Sequence, residues 1–371
     1  MPGSEGINLI IGLLAVLVGF MMFRSLPLLQ TTDKHNRLPF VSIIIPARNE
    51  SSRISPLLQS LQEQTFRSFE VLVVDDHSTD HTAAIAQSFG AKVLQNQVVD
   101  SGSGKSMACW HGAQHANGKW LLFLDADTSF TNANSLYKLL DFYQQKGAKG
   151  ILSLQPYHTI RRFYENLSAI FNIIVIVGMN LFTFRGPRFK TAGSFGPCIL
   201  CNKDDYFLTG GHQKIIGEVM DDLALGQAFL DKSLPVHCMG GKGVITFRMY
   251  PEGIKSLVEG WCKSFAVGSK STHPLVMLMT IIWISGSFIS TGALLSSMTA
   301  NLPAAMIFSG ILYMAYAMQT LLFARRCGNF SWGIFLLHPI LFLFFAAVYV
   351  YSLFQTYILR TVKWKGRKID V

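Results

Sequence analysis

Long apolar stretches without Asp, Glu, Lys or Arg include Ile7 to Phe23, Ser271 to Ala324, and Cys327 to Leu359. Runs of this length and apolarity can cross a hydrocarbon core of about 30 Å. The second divides near Thr299–Asn301, so the pattern predicts helices over about 275–298, 302–324 and 333–358. Residues 41–150 show a different rhythm. Short β-branched or apolar runs at Val41–Ile45, Val71–Val74, Val93–Leu94 and Trp120–Leu124 read as strands. Between them, 53–65 has helical spacing with Leu57, Leu58 and Leu61 on one side, 82–89 is closed by Gly90, and 105–116 is again helical. Strands alternating with helices predict an α/β fold with a mostly parallel sheet covered on both faces.

The pattern divides the chain into an N-terminal transmembrane anchor (1–24), a linker (25–40) holding Pro27 and Pro39, a soluble domain (41–271), membrane helices (274–358) and a basic tail (359–371). The opening MPGSEG lacks the basic start of a cleaved signal, so the first run reads as a retained anchor. The stretch 160–184 is largely apolar but carries Glu165, Asn166, Asn172 and Asn180, and is read as a helix lying in the membrane interface. No internal repeat or low-complexity segment is evident.

Composition sharpens this picture. Half the residues are hydrophobic (50%) and 15% are charged, against about 25% charged in an average soluble protein. The formal charge is +10. Arg24, Lys34, Arg37, Lys263 and Lys270 flank the apolar runs on the side of the soluble domain, which predicts a cytoplasmic domain on a multi-pass protein of the cell membrane. The basic, aromatic-interleaved surface of a nucleic-acid reader is absent, so no nucleic acid is expected as partner. The same charge rule places the basic tail inside, whereas three simple spans place it outside; a re-entrant hairpin near Pro339 or a failure of the rule would reconcile them. Six cysteines include a Cys198-x-x-Cys201 pair but no second pair for zinc, and read as reduced, buried thiols.

Carboxylates carry the candidate chemistry. Asp75-Asp76 follow one strand and Asp125-Ala126-Asp127 another. In an open α/β sheet, ligands bind beyond the carboxyl ends of the strands, so both groups land on one rim. There they suit a hard divalent cation, Mg²⁺ or Mn²⁺, that neutralises a diphosphate. Gly102-Ser103-Gly104-Lys105-Ser106 is not a phosphate loop of the GxxxxGK[ST] type, because position 99 is Val. Asp221 and Asp222 lie within EVMDDLALG at 218–226, where a carboxylate is a natural base for an alcohol acceptor, Asp222 ahead of Asp221.

VSIIIPARNE (41–50), SLQEQTFRSFEVLVVDDHSTDHT (60–82) and LLFLDADT (121–128) resemble the family 2 glycosyltransferases. The resemblance implies a Rossmann-like GT-A fold and inverting, metal-dependent hexosyl transfer from a UDP-sugar, with UDP-glucose the expected donor. It puts Pro46, Ala47 and Glu50 beside the nucleotide base, Asp75 and Asp76 at the base or ribose, Lys105 near a phosphate, and Asp125 and Asp127 at ribose, diphosphate and metal. It also places an acidic pair on a later helix, where Asp221-Asp222 fit. The Gln-x-x-Arg-Trp motif of polymer-making members is missing from RMYPEGIKSLVEGWCKSFAVG (248–268), which argues against processive synthesis. Trp261, Arg248 and Lys263 remain acceptor-side candidates.

Through LSLQPYHTIRRFYENLSAIFNIIVIVGMN (152–180), FGP (195–197), TGGH (209–212), FRMYPEGIKSLVEGW (247–261) and VKWKGRKI (362–369), the whole chain is most similar to the members that glucosylate a C30 carotenoid acid. The implied acceptor is that lipid's carboxylate, drawn from the bilayer. A carboxylic acid is ionised near neutral pH, so it needs no base; the Asp221-Asp222 pair fits better with the alternative, a diacylglycerol-, ceramide- or sterol-like hydroxyl lipid. A non-catalytic scaffold or nucleotide-sugar sensor is the rival from another class.

Overall fold

The computed structural model describes residues 2–30, 37–96, 104–268, 271–359, 361–364 and 367–370. Lys34, Gly102, Ser103, Lys270, Arg360 and Lys365 lie outside the described residues, as does the Lys263 side chain. The chain forms two compact units: one of residues 27–159, 192–249 and 361–371, the other of 1–26, 160–191 and 250–360. The stretch 41–271, read above as one domain, therefore contributes to both units.

In the first unit, β1 (Val41–Ala47), β2 (Phe69–Asp75), β3 (Lys92–Gln95), β4 (Trp120–Leu124), β5 (Thr128–Phe130), β6 (Ile151–Gln155), β7 (Tyr157–His158), β8 (Cys198–Asn202), β9 (Val236–Gly240) and β10 (Ile245–Phe247) follow in order. Seven of them make one sheet in the order β3-β2-β1-β4-β8-β6-β9. The pairs β1–β2, β1–β4, β2–β3 and β6–β9 are parallel, and β8 alone runs against its neighbours β4 and β6. A second sheet has the order β5-β10-β7, and its β5 follows β4 directly in the chain.

The predicted strands match because their composition suits burial on both faces. Ile43 and Ile45 pack with Leu57, Leu58 and Leu61 of the helix Ile54–Gln62 and with Leu136, Leu139 and Leu140 of the helix Ser135–Gln145. Ile44, Leu72 and Val74 face the other way, onto Ala108, Cys109 and Ala113 of the helix Gly104–Gln114 and Phe229 of the helix Asp221–Asp231. Near-continuous apolar runs are what a doubly covered, mostly parallel sheet requires. Register then sets the rim. Ala47 pairs with Asp75, and Ile44 with Phe123, so Asp75-Asp76 and Asp125 emerge at the same end of neighbouring strands.

The second unit is helical. Pro274–Thr299, Pro303–Cys327 and Gly333–Leu359 are three segments of 26, 25 and 27 residues, long and apolar enough to cross a membrane. The last runs on past Pro339 as one helical segment and makes no hairpin there. Pro339 sits in the first turn of the helix His338–Phe354, where its missing N–H leaves no bond unmade. The helix Pro2–Met22 packs against the first two of these. A Cβ at Gly286 would overlap Ala15 and the Tyr316 hydroxyl, so glycine permits this close approach. Gln319 ties the helices together: its Oε1 accepts from Trp283 Nε1 (2.9 Å) and its Nε2 donates to the Val16 carbonyl (2.7 Å).

Within 160–184, a 3₁₀ turn (Phe163–Ser168) leads into a ten-residue α-helix (Ala169–Gly178). Ten residues rise about 15 Å, half of a hydrocarbon core. All six cysteines are buried thiols outside any disulfide.

Candidate active site

The ends of β1 and β2 build one wall of the site. The Asp76 N–H donates to the Ala47 carbonyl (2.8 Å), which draws the two strand ends together. The Asp76 side chain is only 8% exposed. Its Oδ1 accepts from Asn96 Nδ2 (2.8 Å), and its Oδ2 lies 3.5 Å from Arg48 Nη1. Both oxygens are therefore held in place. Asp75 is used differently: its Oδ1 accepts from the Ser78 N–H (3.3 Å) and caps the turn that follows β2. Glu50 Oε2 lies 2.8 Å from Arg53 Nε, and the Glu50 N–H donates to Thr82 Oγ1 (2.8 Å).

Asp80 links these two loops. It accepts from the Thr82 N–H at Oδ1 (3.0 Å) and from the Ser51 N–H at Oδ2 (3.1 Å). Burial works to raise its pKa, but the Thr82 and Ser51 hydrogen bonds outweigh burial and bring it to about 2. A carboxylate depressed in the folded state stabilises above its unfolded pKa, and that stabilisation is lost as pH falls through the folded value. Asp80→Ala is thus expected to cost about 1 kcal/mol at neutral pH, the usual net worth of a protein hydrogen bond. The melting-temperature gap between the two proteins should close as pH falls from about 5 toward 2. A gap independent of pH would show that the carboxylate charge is not what holds the loops.

The other wall comes from β4, β8 and the helix Asp221–Asp231. The Asp125 N–H donates to the Pro197 carbonyl (3.0 Å), and Thr128 closes the turn onto the Asp125 carbonyl through its N–H (3.1 Å) and hydroxyl (2.8 Å). Lys105, in the first turn of the helix Gly104–Gln114, places Nζ 2.8 Å from Asp125 Oδ1. Asp221 and Asp222 occupy the first turn of their helix, the end that favours negative charge. Pro46, Lys105, Asp125, His212, Asp221 and Asp222 line one cavity. Asp127 is half-buried on the same turn as Asp125, and its carbonyl accepts from the Arg248 N–H (3.3 Å).

Glycines set how closely these parts approach. A Cβ on Gly196 would overlap the Asp222 carboxylate, and one on Gly226 would overlap the backbone of Gly193 and Ser194. Ser194 Oγ donates to the Asp222 carbonyl (2.7 Å) and fixes the start of the helix.

Crowding shapes the charges. Burial and the neighbouring Asp221 push the Asp222 carboxyl well above the usual carboxylate range. Burial works to lower the Lys105 ammonium, but Asp125, Asp221 and Asp222 outweigh it and hold the pKa well above that of a free lysine. Burial pulls His212 down to about 4, against the opposing pull of Asp221, so its imidazole is neutral at pH 7. Its Nδ1 meets the Tyr206 hydroxyl at 2.9 Å.

The structure thus brings Pro46, Lys105, Asp125, Asp221 and Asp222 together, with Asp127 and Arg248 adjacent in the fold. Trp261 belongs to the helical unit, where it is 4% exposed, stacks on Phe171 (4.9 Å) and donates from Nε1 to Ser168 Oγ (3.1 Å). That setting packs its indole inside the helical unit. Sequence reasoning missed Asn96, Gly196 and His212 as parts of the site. The signal for His212 was two glycines ahead of a histidine, and both take left-handed backbone (φ +84° and +48°). Asn96 carried no signal of its own.

The family model described as Glycosyl transferase family 2 matches residues 42–206. The 4,4'-diaponeurosporenoate glycosyltransferase of Staphylococcus aureus (strain N315) is 39% identical over 358 residues, covering 95% of this chain and 94% of that protein. The chain belongs to glycosyl transferase family 2. The counterpart from strain MRSA252 is 40% identical over 336 residues, covering 89% and 88% of the two chains. Among solved structures, a mannosyltransferase from Pyrobaculum calidifontis, in complex with GDP-Man and Mn²⁺, superposes with a TM-score of 0.54 at 15% identity, covering 95% of this chain and 99% of that one. At that identity the likeness speaks to the fold alone, which is the GT-A fold of a family 2 glycosyltransferase.

Proposed function

We propose that this glycosyltransferase moves glucose from UDP-glucose to the carboxylate of a C30 carotenoid acid, 4,4'-diaponeurosporenoate, at the cytoplasmic face of the cell membrane. The observation that carries the reading is the 39% identity over 95% of the chain to relatives that bear this name, since it runs through the acceptor half as well as the donor half. Three membrane-length helices support a bilayer-borne acceptor, and Arg24 and Arg37 support the cytoplasmic side.

Asp76, held by Arg48 and Asn96, is the group for the base or ribose, with Pro46, Ala47 and Glu50 beside it. Among the described residues no three His, Cys, Asp or Glu side chains form a metal cage. Asp125 and Asp127 nevertheless fit Mg²⁺ or Mn²⁺, because such ions are commonly held by one or two carboxylates together with substrate phosphates and water. A cation bound there supplies positive charge to the leaving diphosphate. The acceptor oxygen attacks the anomeric carbon from the face opposite the diphosphate. The new C–O bond forms as the C–O bond to UDP breaks, UDP takes the electron pair, and the anomeric centre inverts.

An ionised acid brings its own nucleophilic oxygen, so Asp221 and Asp222 serve it as orienting groups. The raised Asp222 carboxyl suits orientation, because a protonated carboxyl donates a hydrogen bond where a second carboxylate would repel. The same dyad supports a second reading, transfer to a hydroxyl lipid with Asp222 as base.

The two readings separate in one assay, UDP release from UDP-glucose with Mn²⁺, in wild type and Asp222→Asn. The carotenoid acid should drive release, and Asp222→Asn should keep it within about tenfold, because no general-base contribution of about 10²–10⁴ is removed. Release driven only by a hydroxyl lipid and lost in Asp222→Asn would replace the first reading with the second. No release with either acceptor would remove both.

A further inference from the structure

Lys105 is anchored from below and reaches across the cavity. It stands in the first turn of the helix Gly104–Gln114, whose Ala108, Cys109 and Ala113 are buried against the sheet. Its Nζ lies 2.8 Å from Asp125 Oδ1, with side-chain exposures of 38% for Lys105 and 29% for Asp125. Asp221 and Asp222 line the same cavity. A cation is thus already seated on the first carboxylate of the Asp-x-Asp turn.

We propose that Lys105 is the resident counter-ion of Asp125, holding its carboxylate until a nucleotide diphosphate brings a divalent cation and draws the ammonium away. The inference rests on the metal reading of Asp125 and Asp127. One carboxylate oxygen cannot fully serve an ammonium at hydrogen-bond distance and a divalent ion at once, because the two cations repel. Without nucleotide, the lysine wins by being tethered at high local concentration. With nucleotide, the diphosphate offers the ammonium a second anionic partner and offers the metal further oxygens. Lysine suits this exchange because its ammonium is a point charge on a flexible stem, whereas a guanidinium would be committed to a planar fork.

Coupling follows from the exchange. Nucleotide and divalent cation should each strengthen the other's binding, and by linkage the factor is the same in both directions. The diphosphate's own oxygens couple the two ligands directly, and Lys105 adds to that coupling, so the coupling should shrink when the lysine charge is lost.

The test uses the full chain in detergent, as wild type, Lys105→Met and Lys105→Arg. Mn²⁺ binding without nucleotide is followed by loss of the free-ion electron paramagnetic resonance signal. UDP binding with and without Mn²⁺ is followed by calorimetry. Lys105→Met should bind free Mn²⁺ roughly tenfold more tightly than wild type, the size of an ordinary coupling. The enhancement of UDP binding by Mn²⁺ should shrink in the same variant. Lys105→Arg, which keeps the charge, should exclude free Mn²⁺ as wild type does, and it guards against a methionine variant that fails to fold. Equal or weaker binding of free Mn²⁺ by a folded Lys105→Met would overturn the counter-ion role while leaving the metal reading intact. Wild type that takes up no Mn²⁺ even at saturating UDP would overturn the metal reading, and the counter-ion role with it.

Discussion

Asp127→Asn is expected to lower UDP release from the sugar donor by roughly 10³-fold, the scale of losing one preorganised electrostatic contact to the developing charge. In the proposed reaction the leaving group departs as a diphosphate, and the transition state would gather negative charge beside the cation that Asp125 and Asp127 would hold. Asparagine keeps the shape of aspartate and loses the charge that would hold a divalent cation. Asp127 sits half-buried on a turn whose backbone is closed by Thr128 bonds to Asp125, so the substitution should leave the turn intact. Melting temperature should be within a few degrees of wild type, while UDP affinity in the presence of Mn²⁺ should fall. A folded Asp127→Asn with release within about threefold of wild type would leave the metal reading without its central ligand.

Gly196→Ala is expected to reduce kcat by about 10²-fold, the usual consequence of an ångström-scale displacement at a reacting centre. The added Cβ would need the space of the Asp222 carboxylate, and Asp222 has little freedom to withdraw. Its carbonyl is held by Ser194 Oγ at 2.7 Å, and the next turn of its helix is pressed by Gly226 onto the Gly193–Ser194 backbone. The carboxylate should swing toward the acceptor position, while Asp76 and its partners on the donor wall stay in place. The fall should therefore appear in kcat, with the KM for the sugar nucleotide changing by less than about threefold. Gly310→Ala, where a Cβ would meet nothing within 4 Å, serves as the control for glycine replacement itself. Unchanged kcat in Gly196→Ala would mean that the position of Asp222 does not matter to transfer, and would demote the acidic pair.

The two substitutions differ in how visible their targets are in the sequence. Asp127 lies in a local pattern, an apolar strand running straight into Asp-Ala-Asp. Gly196 is conspicuous only after the helix Asp221–Asp231 has folded back over it. Asp75 carries the opposite lesson. Sequence placed it with Asp76 on the donor side; in the structure its Oδ1 accepts from the Ser78 N–H. Adjacent carboxylates on a strand end point in different directions, and the path of the following turn decides what each one meets.

Local physics was legible throughout. Short apolar runs predicted β1 to β4 to within a few residues, because a doubly covered sheet demands continuous hydrophobic strands. Uncharged runs predicted an N-terminal anchor and three C-terminal membrane helices; the three C-terminal segments are of membrane length, whereas the N-terminal run gives a shorter apolar helix, Gly6–Met22. Hydropathy could not tell an interface helix from a span at 160–184, since both are apolar; in the structure the α-helix there runs from Ala169 to Gly178. Tertiary structure alone reversed β8 within the sheet, paired Lys105 with Asp125, enclosed Trp261 against Phe171, and brought His212 to the cavity. Each of those outcomes depends on residues distant in sequence meeting at a few ångströms, and on the burial that follows, neither of which is written in any local pattern of hydrophobic and polar positions.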